Sequence, residues 1–156
     1  MAPVQVRRLA DAAAFAGHLA SLGLDLPFDH QVDPSGPLAE GLAVHDGTAG
    51  TFNVGNRWTI LPMEGWDGTS DGRPTDLVRR RWARFGGSGA KLVWGGEAVA
   101  VTPEGRANPN QLCIGPDSPG DLADLRGVLV DAHVERFGSA DDLLVGLQLT
   151  HSGRWA

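Results

Sequence analysis

The sequence predicts an α/β protein built from parallel β/α units. Three observations lead there. Three short apolar runs, WTILP (58–62), AKLVW (90–94) and LLVGLQL (143–149), lack polar alternation, as strands covered on both faces do. Between them lie two stretches of helical periodicity. The first two runs are each followed by a long polar loop, MEGWDGTSDGRPTDL and GGEAVAVTPEGRANPNQ, of the kind that carries function at the C-terminal ends of parallel strands.

Taken in order, residues 1–40 are expected to form a helix and a connector, and residues 41–156 a hairpin followed by the β/α units. Arg7 and Arg8 ahead of LADAAAFAGHLASLG loosely imitate a signal peptide, but Asp11 and His18 interrupt the apolar part. Phe15, Leu19 and Leu22 recur at helical spacing, with Asp11 placed to cap the start and Gly23 the end. Pro27, Pro34, Gly36 and Pro37 then break both helix and ladder, which makes 24–40 a connector. Within 41–58 the dipeptide Asp46-Gly47 suits a tight hairpin turn. Pro62 closes the first apolar run. Thr75 can cap a helix whose flank of Leu77, Val78, Trp82 and Phe85 lies opposite Arg79, Arg80 and Arg84, and Gly86 and Gly87 end it. A longer helix over 119–137 turns Leu122, Leu125, Leu129 and Ala132 inward and stops at Gly138.

At 156 residues the chain fits one ordinary domain. Its 13 Lys and Arg against 19 Asp and Glu give a formal charge of -6, the wrong sign for nucleic acid or an anionic membrane. No apolar run approaches the about 18 residues that span a bilayer. A lone cysteine, Cys113, can form neither an internal disulfide nor a metal cage, so a cytoplasmic location is expected. The thiol reads as packed rather than nucleophilic.

Several motifs resolve into plain structure. The glycines of GGSGAKLVWGG (86–96) follow a helix and precede a strand, the reverse of a dinucleotide fingerprint, so they read as a helix end and tight loop. Arg79, Arg80 and Arg81 read as a solvated helix face. The five histidines lack zinc spacing, and no catalytic set assembles. Gln148 stands out, because an amide inside an apolar strand must either be satisfied structurally or face a ligand. Periodicity leaves a barrel and an open doubly wound sheet both possible, although WTILPMEGWDG lacks the glycine fingerprint of the latter. A (β/α)8 barrel takes at least about 200 residues, so three strands here would form an incomplete one.

Read together, NRWTILPMEGWDGTSDGRPTDL, GAKLVWGGEAVAVTPEGRANPNQ and LVGLQLTHSGR resemble the first three β/α segments of the NADH:flavin oxidoreductase, or old yellow enzyme, family. The resemblance rests on N-R-x-x-x-x-P-M, P-T-D-L, G-E-A-x-x-V-x-P-E-G-R and Q-L-x-H-x-G-R, in that order, over about 56–156. It implies an incomplete (β/α)8 barrel with an N-terminal helix and hairpin, taken from an enzyme that reduces activated alkenes with FMN and NAD(P)H. It also implies cofactor-binding roles. Pro62 and Met63 would lie against the flavin ring, followed by Glu64 where relatives often place Thr, Ser or Cys. Ala98 would let the backbone approach, and Gln148 would bond the pyrimidine edge. His151, Gly153 and Arg154 would shape the loop after the third strand. The groups that hold substrate, donate the proton or grip the phosphate would lie beyond that strand, as would any iron–sulfur cysteines; the chain contains no tyrosine. No catalytic or metal-binding residue is therefore expected in this chain. The open strand edges of such a piece would favour self-association or a partner chain.

Overall fold

The computed structural model describes residues 4–45, 47 and 50–155. The chain divides into two compact units, Met1–Gly36 and Pro37–Ala156.

In the first unit, α1 spans Ala12–Leu22. Local chemistry sets both ends. Asp11 is extended and its carboxylate accepts from the Ala14 amide at 2.8 Å, while Gly23 takes the left-handed conformation at φ 66° and its amide bonds back to the last turn. Leu19 is the buried residue of this helix, and Phe15 meets Phe28 edge to face at 4.9 Å. Residues 24–36 form no helix or strand, as the prolines dictate.

The second unit opens with an antiparallel hairpin, β1 (Leu42–His45) and β2 (Thr51–Val54), paired from Leu42 with Val54 to His45 with Thr51. Gly47 has φ 79°, as a tight turn requires; Asp46, the other half of the expected turn dipeptide, lies outside the described residues. There follow β3 (Thr59–Ile60), α2 (Asp76–Gly86), β4 (Leu92–Ala100), α3 (Ser118–Phe137) and β5 (Leu144–Thr150). The three strands form one parallel sheet in the order β3-β4-β5. Helices follow β3 and β4, so the predicted β/α alternation is present. The sheet is not closed among the described residues: β3 and β5 are both edges.

Val93 and Val99 of β4 and Leu143 pack with Val78 and Trp82 of α2, Leu112, and Leu125 and Leu129 of α3 into one apolar core. Each such burial is worth roughly 1.5–3 kcal/mol. Two helices cover one face of the sheet. The other face is open, with Leu61 71% and Trp94 49% exposed, so the expectation of strands covered on both faces fails for want of a second layer.

Two strand lengths differ from expectation. The run 58–62 shrinks to a two-residue ladder, because β3 is an edge strand and Pro62 has no N–H to extend it. Conversely, β4 continues through GGEAVA, expected as loop. Ala98, Val99 and Ala100 pair with Gln148, Leu149 and Thr150, and β4 carries two more residues than β5 between the pairs Trp94–Gly146 and Ala98–Gln148. Gly95, at φ 61°, makes that irregularity possible.

The helices hold further corrections. The Thr75 side chain does not accept a capping bond from α2; its hydroxyl donates to the Asp67 carbonyl. Leu77 is half exposed, leaving Val78 and Trp82 to carry the buried flank. Gly87 and Gly138 do cap α2 and α3.

At the N-terminal end of the sheet, Asn56 holds β3 and β4 in register. Its Nδ2 donates to the Gly89 carbonyl at 2.9 Å, and its Oδ1 accepts from the amides of Trp58 and Lys91 at 3.1 Å each. Lys91 bonds Asp142 at 2.6 Å and the buried His133 Nε2 at 2.9 Å. Because an ammonium only donates and the Gly86 carbonyl on Nδ1 only accepts, His133 carries its proton on Nδ1. Both clusters are structural.

Candidate functional site

The C-terminal ends of β3, β4 and β5 bring four of the five predicted site residues together. The Met63 carbonyl accepts from the Ala98 amide at 3.0 Å. Ala98 is the register partner of Gln148. Gly95 closes the group: a Cβ there would stand 2.7 Å from Pro62 Cβ and 3.0 Å from the Gln148 amide nitrogen, so the absence of a side chain is what lets the strands approach. Pro62 is half-buried, Met63 and Glu64 are exposed, and Ala98 is buried. Glu64 joins this group only as the chain neighbour of Met63.

Gln148 is exposed rather than buried, which corrects its reading as an interior amide. Register partners share a face, and Gln148 with Ala98 and Trp94 with Gly146 occupy the side of the sheet that no helix covers. Its amide makes no hydrogen bond among the described residues, so a donor and an acceptor both stand available at the strand ends.

Behind this group lies a layer that sequence reasoning missed. Glu97 is fully buried; its Oε1 accepts from the Gly65 amide at 2.7 Å and its Oε2 from the Arg81 guanidinium at 2.7 Å. The same guanidinium reaches Asp67 at 2.8 Å, so Arg81 belongs to a charged cluster rather than a solvated face. Burial pushes the Glu97 carboxyl up to about 7, against the pull of Arg81 and the Gly65 N–H; Asp67 adds to the rise, and the Trp82 indole opposes it slightly. The Asn108 amide donates to the Gly65 carbonyl at 3.1 Å, and the buried Gln111 amide donates to the Ala98 carbonyl at 2.8 Å. The available signal was Glu97 beside two glycines and a helix carrying four arginines; nothing in spacing alone joins them.

The two long loops are tied to each other. Arg106 donates to the carbonyls of Ser70 at 2.8 Å and Pro109 at 3.0 Å, and Gly72 accepts from the Cys113 amide at 3.0 Å. Arg73 makes a two-pronged pair with Asp121 of α3, both bonds 2.9 Å. His151 lies against Gly105, where a Cβ would come within 2.6 Å of the ring, and its Nδ1 accepts from the Gly153 amide at 3.0 Å. Cys113 is buried and its thiol is pushed up by that burial. No group of three His, Cys, Asp or Glu that could hold a metal occurs among the described residues, and none of their helices is long and apolar enough to cross a membrane.

No family model matches the sequence. No curated protein matches it either. Among solved structures, an old yellow enzyme homologue from Zymomonas mobilis is similar, with a TM-score of 0.55 and 22% identity, covering 76% of this chain and 29% of that one. The chain thus spans less than a third of that protein's length. The likeness shows the fold, a mixed α/β arrangement similar to part of an old yellow enzyme barrel.

Proposed function

We propose that this chain supplies the strand ends that lie against the flavin ring in an FMN-dependent NAD(P)H oxidoreductase acting on activated alkenes or related acceptors. The observation that carries the reading is the convergence of Pro62, Met63, Ala98 and Gln148 at three parallel strand ends, with the Gln148 side-chain amide making no hydrogen bond among the described residues. Such an amide fits the pyrimidine edge of a flavin, where carbonyl acceptors flank an N–H donor. The exposed Met63 beside half-buried Pro62 offers an apolar rest for the ring. The fold likeness supports the same reading.

The chemistry the cofactor would supply is hydride transfer from reduced nicotinamide to the acceptor. The residues here would orient the ring; none is assigned a proton transfer. Because the assigned contacts are to the ring and none to the phosphate, FMN and riboflavin should bind this chain weakly and about equally. Amide chemical-shift mapping by NMR tests this. Shifts are expected at Met63, Ala98 and Gln148, and Gln148→Ala should reduce them. Perturbations confined to other residues would overturn the assignment.

A second reading, a non-catalytic half-barrel that self-associates or takes a partner chain, is favoured by the open face and edges, where Leu61, Met63, Trp58 and Leu149 are all more than half exposed. Sedimentation velocity over a concentration series distinguishes it. Concentration-dependent dimers are expected under this reading, and a sharp monomer at every concentration would sink it.

A further inference from the structure

The candidate ring-facing backbone is a strap of five residues, 63–67, that runs on from the shortest strand of the sheet. It has no ladder of its own. What holds it is a set of side chains reaching in from α2, β4 and the loop after β4. Glu97 takes the Gly65 amide, Asn108 the Gly65 carbonyl, Arg81 the Asp67 carboxylate, and the Ala98 amide the Met63 carbonyl.

We infer that Glu97 is the positioning residue of this strap: held by Arg81, its buried carboxylate fixes Gly65 and thereby the height of Met63 over the strand ends. The inference rests on the proposed flavin-facing role of Met63 and Ala98. Geometry makes Glu97 the keystone, since it is one residue from Ala98 in β4 and directly bonded to the strap two residues past Met63. Gly65 has no room to relax elsewhere. A Cβ there would stand 2.7 Å from Glu97 Oε1, 2.7 Å from Asp67 Oδ1 and 2.8 Å from the Arg81 guanidinium, so backbone and charges are in direct contact.

The hold depends on charge. The groups facing Glu97 are Arg81 and the Trp82 indole from α2, and Asp67 and the Gly65 N–H from the strap. A carboxylate makes strong, charge-assisted bonds to both the amide and the guanidinium; a protonated carboxyl loses its pull on Arg81, which then pairs with Asp67 alone. The bonds from Glu97 to the strap are therefore stronger above neutral pH than below it, while the larger cost of burying the charge lowers the stability of the fold as a whole as the carboxyl ionises.

The test is an NMR titration of the purified chain without flavin, following the Gly65 amide. Its resonance should move with a midpoint near 7. Arg81→Gln should raise that midpoint, Arg81→Lys should largely restore it, and Glu97→Gln should abolish the titration. A Gly65 amide that does not respond to pH in the unaltered chain overturns the inference even if no variant folds. Repeating the FMN mapping on either side of the midpoint separates this claim from the reading it rests on. Ring-induced shifts at Met63 and Ala98 should weaken several-fold at the acid end. Absence of those shifts at every pH, with the Gly65 titration intact, overturns the flavin reading while the strap anchor stands.

Discussion

At the residue scale, buried polar side chains such as Glu97, Asn108 and Gln111 hold the loops at the strand ends. Glu97 is the most consequential of them for stability. Its folded-state value of about 7 lies above the ordinary 4.5, so between these the folded chain binds more protons than the unfolded one. Its contribution is thus fully present below about pH 4.5 and is lost as pH rises to about 7, on the order of 3 kcal/mol in all. Chemical denaturation across that window should show stability falling with pH, and Glu97→Gln should flatten the slope. Asn56 gives a second residue-scale expectation. Its side chain satisfies one carbonyl and two amides where β3 meets β4, so Asn56→Ala should cost about 1–3 kcal/mol by the same measurement, without altering any strand-end contact. The N-R-x-x-x-x-P-M string on which the resemblance rests therefore mixes a structural Asn56 with candidate site residues Pro62 and Met63.

At the element scale, what was legible in sequence was whatever is decided locally. Asp11, Gly23 and Gly138 mark helix ends because a cap acts on residues within one turn, and all three do so. The strands were harder. The glycines at 95 and 96 look like loop, yet β4 runs through them because β5 and residues 112–114 pair with the segment beyond: the Ala100 amide bonds the Leu112 carbonyl at 2.9 Å, and the Ile114 amide bonds the Ala100 carbonyl at 2.8 Å. Pairing is non-local, and composition does not report it. The packing of α2 on α3 is close for a similar reason. A Cβ on Gly86 would approach the Leu129 carbonyl to 2.1 Å, so that position ends α2 and also sets the distance between the helices. Gly86→Ala should force them apart and destabilise the fold by roughly 1–3 kcal/mol, read as a drop in Tm.

At the scale of the whole molecule, the open sheet sets how stability is distributed. β4 is paired on both sides and covered by the core, whereas β3 and β5 are edges. Amide hydrogen exchange should therefore be slowest along Val93 to Ala100 and in the middle of α3, and fast around Thr59 and Ile60. Equal protection across all three strands would mean that the outer edges are paired in solution. The sequence by itself determined the alternation of strand and helix, the ends of the helices at Asp11, Gly23 and Gly138, and the hairpin, because periodicity, capping and turn chemistry act over a few residues. Only the tertiary structure decided that the helices cover one face of the sheet and leave the other without a helical layer, that Gln148 is exposed, and that Arg81 reaches across to Glu97 and Asp67. Those outcomes depend on which layers are present to exclude water and which charges burial forces together, and neither is written in any local stretch of the chain.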